Sequence, residues 1–212
     1  MFSRYILSFV AGLALCVAAA TAMAGDAEAG KALYPVCTAC HGPNGLGNQA
    51  MNAPKLAGQE TWYLIKQMQL FQTDARGTAP GDMQGMQMAA MAKGPQLASA
   101  EALDNLAAYI ATLPDANAAP TVTGNAEAGK ALYAVCAACH GDKAQGVEAM
   151  AGPRLAGQND WYMVAQIKKF QQGQRGYHAS DHGGAQMRPM VATLTSDQAV
   201  NDVVAYINTL AP

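Results

Sequence analysis

The sequence of 212 residues is poor in charged and in aromatic side chains. Charged residues make up 13% of the chain, aromatic residues 7%, and the formal net charge is -2. A chain without a basic excess lacks the electrostatic pattern of a nucleic-acid-binding protein. No segment alternates apolar and polar residues over a useful length, which disfavours β-sheet. The composition therefore indicates a soluble, Ala-rich helical protein.

The first 24 residues differ from the rest of the chain. Arg4 precedes an almost unbroken apolar run over 6–20, and the small-x-small triplet 22–24 stands before Gly25. This layout is typical of a secretory signal peptide. The apolar run is short for a membrane span, which needs about 20 residues. A membrane anchor and a lipid attachment at Cys16 are the alternatives, but we expect cleavage after residue 24 and export to the periplasm.

The rest of the chain contains an internal repeat with an offset of 99 residues. The segment 25–34 recurs at 124–133, and the segment 54–59 recurs at 153–158. The register slips by two toward the end, because the first half carries two extra residues near Gly94. Two copies of about 90 residues indicate a tandem domain duplication rather than a solenoid, which needs more and shorter repeats.

The repeat fixes the predicted domain boundaries. We expect an N-terminal domain at 25–113, a C-terminal domain at 124–212 and a linker at 114–123, which is rich in Pro, Ala and Asn. Each domain is predicted to be helical. The predicted helices of the first copy cover 26–36, 60–73 and the segment from Ser99 to Leu113, and Thr195 or Ser196 begins the counterpart of the third.

Each copy also contains the sequence C-x-x-C-H, which is the pattern of c-type haem attachment. The two thiols of such a motif bond to the haem vinyl groups, and the adjacent histidine binds the iron. A zinc site would need a further ligand at a reliable spacing, and a thioredoxin-like dithiol would need a βαβ context. Neither is present. The predicted haem residues are the covalent attachments Cys37, Cys40, Cys136 and Cys139 and the proximal iron ligands His41 and His140.

The second axial ligand of each iron must be chosen from 12 methionines. A ligand shared by both copies should lie at the same distance from its histidine. Met88 and Met187 each follow their histidine by 47 residues, but Met91 and Met190 also keep a common offset. Position alone therefore leaves two candidates in each domain.

Taken together, these motifs resemble the cytochrome c-four family of bacterial dihaem cytochromes. The matching elements are D-A-E-A-G-K, C-x-x-C-H-G, P-K-L-A-G-Q and a late M-x-x-M, and they span nearly all of the mature chain. The resemblance implies an all-α protein of two tandem class I cytochrome c domains, each folded around one covalently attached haem c. In that family the earlier methionine of the late pair is the ligand, which favours Met88 and Met187.

The resemblance also implies supporting roles. The carbonyl groups of Pro54 and Pro153 are expected to accept the ring N–H of the proximal histidines. Gly30 and Gly129 are expected to let the last helix of each domain cross the first one closely. Six side chains are candidates for contact with the haem propionates, and for each of them the alternative is core packing or a solvated charge. They are Trp62, Tyr63, Trp161, Tyr162, Arg76 and Arg175.

The expected function is electron transfer rather than catalysis. His/Met ligation fills both axial positions of the iron and raises its reduction potential. The resemblance implies redox protein partners, such as a quinol-oxidising complex and a terminal oxidase or a denitrification enzyme. No nucleic acid and no small-molecule substrate is expected, and a loose association with the membrane surface is left open.

Two alternatives remain at this point. One alternative to a free electron carrier is a cytochrome subunit of a periplasmic dehydrogenase, such as a flavin-dependent sulfide dehydrogenase. The other, less favoured, is a dihaem peroxidase with one open iron. His178 and His182 occur only in the second half and are the residues to inspect for the peroxidase. One of them would replace Met187 or act as a distal acid–base group. The competing interpretation is a polar loop over 177–184.

Overall fold

The computed structural model describes residues 25–117 and 119–210. These residues form nine α-helices and three short 3-10 helices, and their β-type pairing is limited to two isolated bridges. The all-α prediction is confirmed. None of the helices in this part of the chain is long and apolar enough to cross a membrane. The predicted signal peptide, with Cys16, lies outside the described residues.

The helices form two sets that repeat the same order. In the N-terminal set the helices are α1 (Ala27–Leu33), α2 (Pro35–His41), α3 (Thr61–Gln72), α4 (Met83–Ala92) and α5 (Ala100–Ala111). In the C-terminal set they are α6 (Ala126–His140), α7 (Asp160–Gln171), α8 (His182–Val191) and α9 (Asp197–Ile207). The 3-10 helices are Gln49–Met51, Pro95–Leu97 and Glu148–Met150. The turn at Pro95–Leu97 lies where the first half carries its two extra residues.

The helix that leads to the haem-attachment motif is interrupted in the first copy and continuous in the second. α1 ends at Leu33 and α2 begins at Pro35, whereas α6 runs through Ala134 without a break. Proline lacks the N–H that would continue a helix, and it is favoured at the first position of a new one. The sequence predicted one helix over 26–36, and this proline explains the difference.

The first and last helices of each set cross at a glycine. A Cβ on Gly30 would lie 1.9 Å from the carbonyl oxygen of Asn105, and a Cβ on Gly129 would lie 1.9 Å from that of Asp202. Only a residue without a side chain permits such an approach between two backbones. Gly30 and Gly129 therefore allow the close crossing of the first and last helices, as expected.

Each set buries its own apolar core against its last helix. In the N-terminal set the buried cluster is Tyr34, Leu97, Leu103, Leu106 and Ile110. In the C-terminal set the fully buried positions on α9 are the valines and isoleucine Val200, Val203, Val204 and Ile207. The last helix begins at a serine N-cap in both sets, Ser99 in the first and Ser196 in the second. Of the two starts considered for the second, Ser196 is therefore the correct one.

Two helices were not predicted from the sequence. α4 and α8 contain glycine, and α8 also contains Pro189, so their helix propensity is low. Each begins at a buried aspartate, Asp82 or Asp181, whose side chain accepts a backbone N–H of the first turn. This N-cap offsets part of the weak propensity. His182 is the first residue of α8, so the predicted polar loop over 177–184 is wrong in its last part.

The glycine at the helix crossing gives a first prediction. Gly129→Ala forces α6 and α9 apart, because the new methyl group meets backbone that cannot rotate away. We expect the haem-loaded protein to lose about 1–3 kcal/mol of unfolding free energy. The matched control is Gly183→Ala on α8, whose new Cβ meets only Ala151 at an ordinary 3.7 Å and gains up to about 1 kcal/mol from helix propensity. Denaturant unfolding measures both, and equal stability of the two variants contradicts the prediction.

Candidate functional site

Each C-x-x-C-H motif forms the end of a helix, and its histidine is turned into the protein. His41 ends α2 and His140 ends α6, and they are 8% and 4% exposed. The four cysteines are half-buried and are not joined in disulfides. Residues three apart share a helix face, so both cysteines of a motif lie on one side of its helix. The arrangement presents two thiols and one imidazole to the same region of each domain.

Both histidines are held in the tautomer that binds a metal through Nε2. Nδ1 of His41 lies 2.7 Å from the carbonyl oxygen of Pro54, and Nδ1 of His140 lies 2.6 Å from that of Pro153. A carbonyl only accepts, so Nδ1 carries the proton and Nε2 keeps its lone pair. Burial lowers the pKa of both imidazoles, and the carbonyl contact opposes it only in part. A neutral imidazole with a free Nε2 is suited to bind iron.

A tyrosine fixes the turn that follows each motif. The hydroxyl of Tyr34 donates to the Gly42 carbonyl at 2.9 Å, and that of Tyr133 donates to the Gly141 carbonyl at 2.7 Å. Burial, then the nearby Cys37, raises the pKa of Tyr34 to about 12, so the phenol remains a donor. These tyrosines belong to the repeated segments 25–34 and 124–133, and their hydrogen bonds were not predicted. Their signal was the shared position three residues before the first cysteine.

The structure separates the two methionines of each late pair by exposure. Met88 on α4 and Met187 on α8 are half-buried, whereas Met91 is 45% and Met190 is 41% exposed. Met88 packs against a small buried cluster that contains Phe71. The half-buried methionine of each pair is therefore the one placed to reach the interior of its domain.

The two domains meet through a pair of buried arginines. Arg76 and Arg175 are 7% and 6% exposed, and each guanidinium lies 4.5 Å from the centre of a phenylalanine ring in its own domain. Arg76 donates to Gln67 at 2.6 Å, and across the interface to Gln166 at 3.1 Å and to the Tyr162 hydroxyl at 3.3 Å. The interface therefore includes a buried cation from the first domain.

The second arginine repeats this pattern in the opposite direction. Arg175 donates to Gln166 of its own domain at 3.0 Å, and across the interface to the Tyr63 hydroxyl at 2.7 Å and to Gln67 at 3.1 Å. The tyrosine hydroxyls accept in both cases, so their own O–H remains available to donate. Such reciprocal contacts between matching residues are what a two-fold relation between the domains produces.

One N–H of each arginine has no acceptor. Among the buried side-chain nitrogen and oxygen atoms of the described residues, only Nε of Arg76 and Nε of Arg175 lack a hydrogen-bond partner. Leaving a buried donor unpaired costs about 1–3 kcal/mol. A haem propionate is a carboxylate and supplies both an acceptor and a negative charge. The residues present therefore fit the predicted haem groups, with Arg76, Arg175, Tyr63 and Tyr162 as the side chains that would hold the propionates.

Backbone groups beside the proximal histidines are also bound across the interface. The amide N–H of Lys55 donates to Asn159 Oδ1 at 2.7 Å, and that of Arg154 donates to Glu60 Oε2 at 2.9 Å. Burial raises the pKa of Glu60, and the hydrogen bond from Arg154 opposes this in part. None of these contacts was expected from the sequence, because nothing in a repeat reveals which of its surfaces face each other.

The linker contributes a carboxylate that two matching cations share. Asp115 lies 2.6 Å from Lys55 Nζ and 2.9 Å from Arg154 Nη2. Burial opposes its ionisation, but the hydrogen bond and charge of Lys55, followed by those of Arg154, hold the pKa of Asp115 below its ordinary value. A single linker residue thus ties both domains together.

The two histidines inspected for an alternative activity are both exposed. Nδ1 of His178 lies 2.9 Å from the Ser180 hydroxyl, and His182 begins α8. No group of three or more His, Cys, Asp or Glu side chains in the described part of the chain is arranged to hold a free metal ion.

Comparison with known proteins gives consistent matches. The family model described as cytochrome c matches residues 27–114 and again 126–211. The chain is 36% identical over 200 residues to cytochrome c4 of Azotobacter vinelandii, covering 88% of this chain and 90% of that protein. It is 37% identical over 150 residues to a thiosulfate dehydrogenase electron acceptor of Thiomonas intermedia, covering 66% of this chain and 64% of that protein.

A solved structure matches as well. The crystal structure of reduced recombinant cytochrome c4 from Pseudomonas stutzeri aligns with a TM-score of 0.65 at 30% identity. The alignment covers 87% of this chain and 98% of that one. Both the sequence and the arrangement of helices are therefore shared over nearly the whole described chain.

The linker carboxylate gives a prediction with a defined pH dependence. Asp115→Asn removes two ion pairs at the interface and should lower the unfolding free energy by about 1–2 kcal/mol at neutral pH. Because the pKa of Asp115 is lowered in the folded protein, its contribution is present above the pKa of the unfolded chain. It is lost as the pH falls through the lower pKa of the folded state.

Thermal unfolding at several pH values tests this contribution. The control is Asp74→Asn, which removes the exposed ion pair with Lys93 and should change stability by less than about 0.5 kcal/mol. The wild type and Asp115→Asn should converge in stability at low pH. A difference between them that is independent of pH contradicts the assignment.

Proposed function

The chain belongs to the cytochrome c family, among the dihaem cytochromes c4, and from this we propose that it is a periplasmic carrier of single electrons between respiratory redox proteins. Its two domains carry one covalently attached haem c each. The observation that carries the proposal is the duplicated buried histidine, which is neutral and bound at Nδ1 by a backbone carbonyl. Two such ligands in one chain support two matching redox centres.

The proposed ligands follow from the repeat and from burial. We assign covalent attachment to the cysteine pairs of the two motifs, proximal ligation to His41 and His140, and the second axial positions to Met88 and Met187. The greater exposure of Met91 and Met190 supports this choice between the two candidates in each domain. We also retain the proposed boundaries, 25–113 and 124–212, with cleavage of the leader after residue 24.

These ligands suit electron transfer rather than catalysis. When bound, haem c supplies a one-electron couple between ferric and ferrous iron. A histidine and a methionine that occupy both axial positions leave no place for oxygen, peroxide or a substrate. The hydrogen-bonded imidazoles and the half-buried methionines would hold the iron with little rearrangement when it gains or loses one electron. The residues therefore favour an electron carrier over a dihaem peroxidase. His178 and His182, the residues inspected for a peroxidase, lie exposed on the surface.

A specific observation favours one type of partner as a second candidate. The similarity to a thiosulfate dehydrogenase electron acceptor supports a donor that oxidises a sulfur compound, in place of a quinol-oxidising complex. In both cases the chain accepts electrons from a protein and passes them to another. Reduction of the oxidised protein by a purified thiosulfate dehydrogenase, compared with a quinol-oxidising complex, distinguishes the two donors.

The test of the proposed function is the visible spectrum of the reduced protein with and without carbon monoxide. Two closed irons leave the spectrum unchanged, because each axial position is occupied. A shift in about half of the haem shows one open site and contradicts the proposal in favour of a peroxidase or a gas-binding protein.

Removal of the proposed methionine ligand gives a further prediction. Met187→Ala should open the iron of the C-terminal domain, lower its reduction potential and let carbon monoxide bind to half of the haem. The matched control is Met190→Ala, which truncates an exposed side chain one helical turn away and should leave both the potential and the spectrum unchanged. The reverse result would assign the ligand to Met190.

A further inference from the structure

The segment that leads into α4 of the N-terminal domain is held by side chains of the C-terminal domain. The amide N–H of Thr78 donates to the Tyr177 hydroxyl at 3.2 Å, and the hydroxyl oxygens of these two residues lie 2.8 Å apart. Further along, the side-chain amide of Gln174 donates to the Pro80 carbonyl at 3.3 Å. These contacts fix the backbone just before the helix that carries Met88.

A buried ion pair holds the N-terminus of α4 itself. Lys169 of α7 lies 2.5 Å from Oδ1 of Asp82, and its Nζ also donates to Gln84 Oε1 at 3.2 Å. Only 13% of the Lys169 side chain and 3% of the Asp82 side chain are exposed. Asp82 is the N-cap of α4 and accepts the N–H of Gly85 at 2.9 Å. A cation of one domain therefore pairs with the carboxylate that caps the ligand helix of the other.

The N-terminal domain has no equivalents of these two polar side chains. At the offset of 99, the counterpart of Lys169 is Leu70. The counterpart of Gln174 is Ala75. Leucine and alanine cannot donate a hydrogen bond or neutralise a carboxylate. The support that the C-terminal domain gives to α4 is therefore not returned to α8.

The cap of α8 depends on its own domain instead. Asp181 is buried and makes no ion pair among the residues that the structure describes. Arg175 of the same domain is close enough to interact with it, but the guanidinium donates to glutamine and tyrosine side chains. Only α4 has a lysine of the opposite domain at its cap.

Release of Met88 from the iron would require the start of α4 to move. The methionine lies six residues after the N-cap, which is less than two helical turns. With α4 in place Asp82 is buried, and a buried carboxylate that has lost its cation is strongly destabilising. A contact made in only one of two states favours that state. Lys169 therefore favours the arrangement in which α4 is in place and Met88 is at the iron.

We propose that Lys169 is a positioning residue for Met88, so that the C-terminal domain holds the axial ligand of the haem in the N-terminal domain. Lys169 acts through Asp82 and the first turn of α4, and it is not a ligand. The inference rests on the proposed function, because it requires Met88 to bind the iron.

The test is the displacement of the ligand methionines by added imidazole in the ferric, haem-loaded full chain. Lys169→Met removes the charge and keeps an apolar stem. We expect imidazole to displace Met88 at a severalfold lower concentration, because the cap of α4 is weakened, with the displacement of Met187 unchanged. The methyl proton resonances of the bound methionines report each site, and Met187→Ala identifies the resonance of the C-terminal domain.

The neighbouring lysine provides a matched control. Lys168 pairs with the exposed Asp197 at 3.0 Å, so Lys168→Met changes the net charge equally without touching α4. It should leave the displacement of both methionines unchanged. Lys169→Arg keeps a cation at the cap and should restore most of the resistance to imidazole.

A second variant and a second measurement test the same contact. Gln174→Ala removes the hydrogen bond to Pro80 and leaves the ion pair in place, so it should ease the displacement of Met88 by a smaller factor. This variant decides the matter if Lys169→Met does not fold. Amide hydrogen exchange of Gly85, whose N–H is bound by the cap, should become faster in Lys169→Met. Exchange at the start of α8 should stay as in the wild type.

The outcomes separate this inference from the function on which it rests. If Lys169→Met leaves the displacement of Met88 unchanged, or eases that of both methionines equally, the inference is wrong while the protein remains a dihaem carrier. The same effect in Lys168→Met would trace the change to net charge and also overturn it. If the wild-type protein carries an open iron that binds carbon monoxide, the proposed function itself is wrong.

Discussion

Two buried guanidinium groups at the domain interface carry positive charge that no direct ion pair with a described side chain neutralises. Arg76 and Arg175 make no ion pair among the described residues, and each retains an unpaired Nε–H. Uncompensated buried charge is costly, so these side chains belong in the interior only when an anion lies beside them. In a dihaem cytochrome the haem propionates would meet that need. Haem attachment and the contact between the two domains would then be linked through the same two arginines.

This linkage explains how small domains reach a defined arrangement. A domain of about 90 residues buries a limited core of its own, and here each apolar core is built mainly on the crossing of the first and last helices. The remaining order comes from polar contacts: the histidine to its proline carbonyl, the arginines to the opposite glutamine and tyrosine, and Asp115 to both cations. Buried polar networks define one geometry when every member is satisfied, and here the Nε–H groups of the two arginines are the members that still lack an acceptor.

The sequence predicted the parts of this protein that depend on local patterns. The C-x-x-C-H motifs, the internal repeat and the serine cap of α5 were visible in the sequence, and the glycine crossings were expected from the family resemblance. α4 and α8 were missed because glycine in both segments and Pro189 in the second lower the helix propensity. The contacts of Glu60, Asn159 and Lys169 join residues 87 or more positions apart. No local pattern identifies such pairs, since they depend on how two finished domains face each other.

A duplicated chain begins with two equal domains, and later substitutions make them differ. A substituted side chain at the interface contacts the opposite domain as well as its own. Glu60 lies in the first domain but faces the peptide group that supports His140 of the second, and Lys169 lies in the second but neutralises a carboxylate of the first. Glu60 thus places a carboxylate at the surface of the second domain, and Lys169 places a cation at the surface of the first. The two halves of a duplicated chain therefore differ most where each one faces the other.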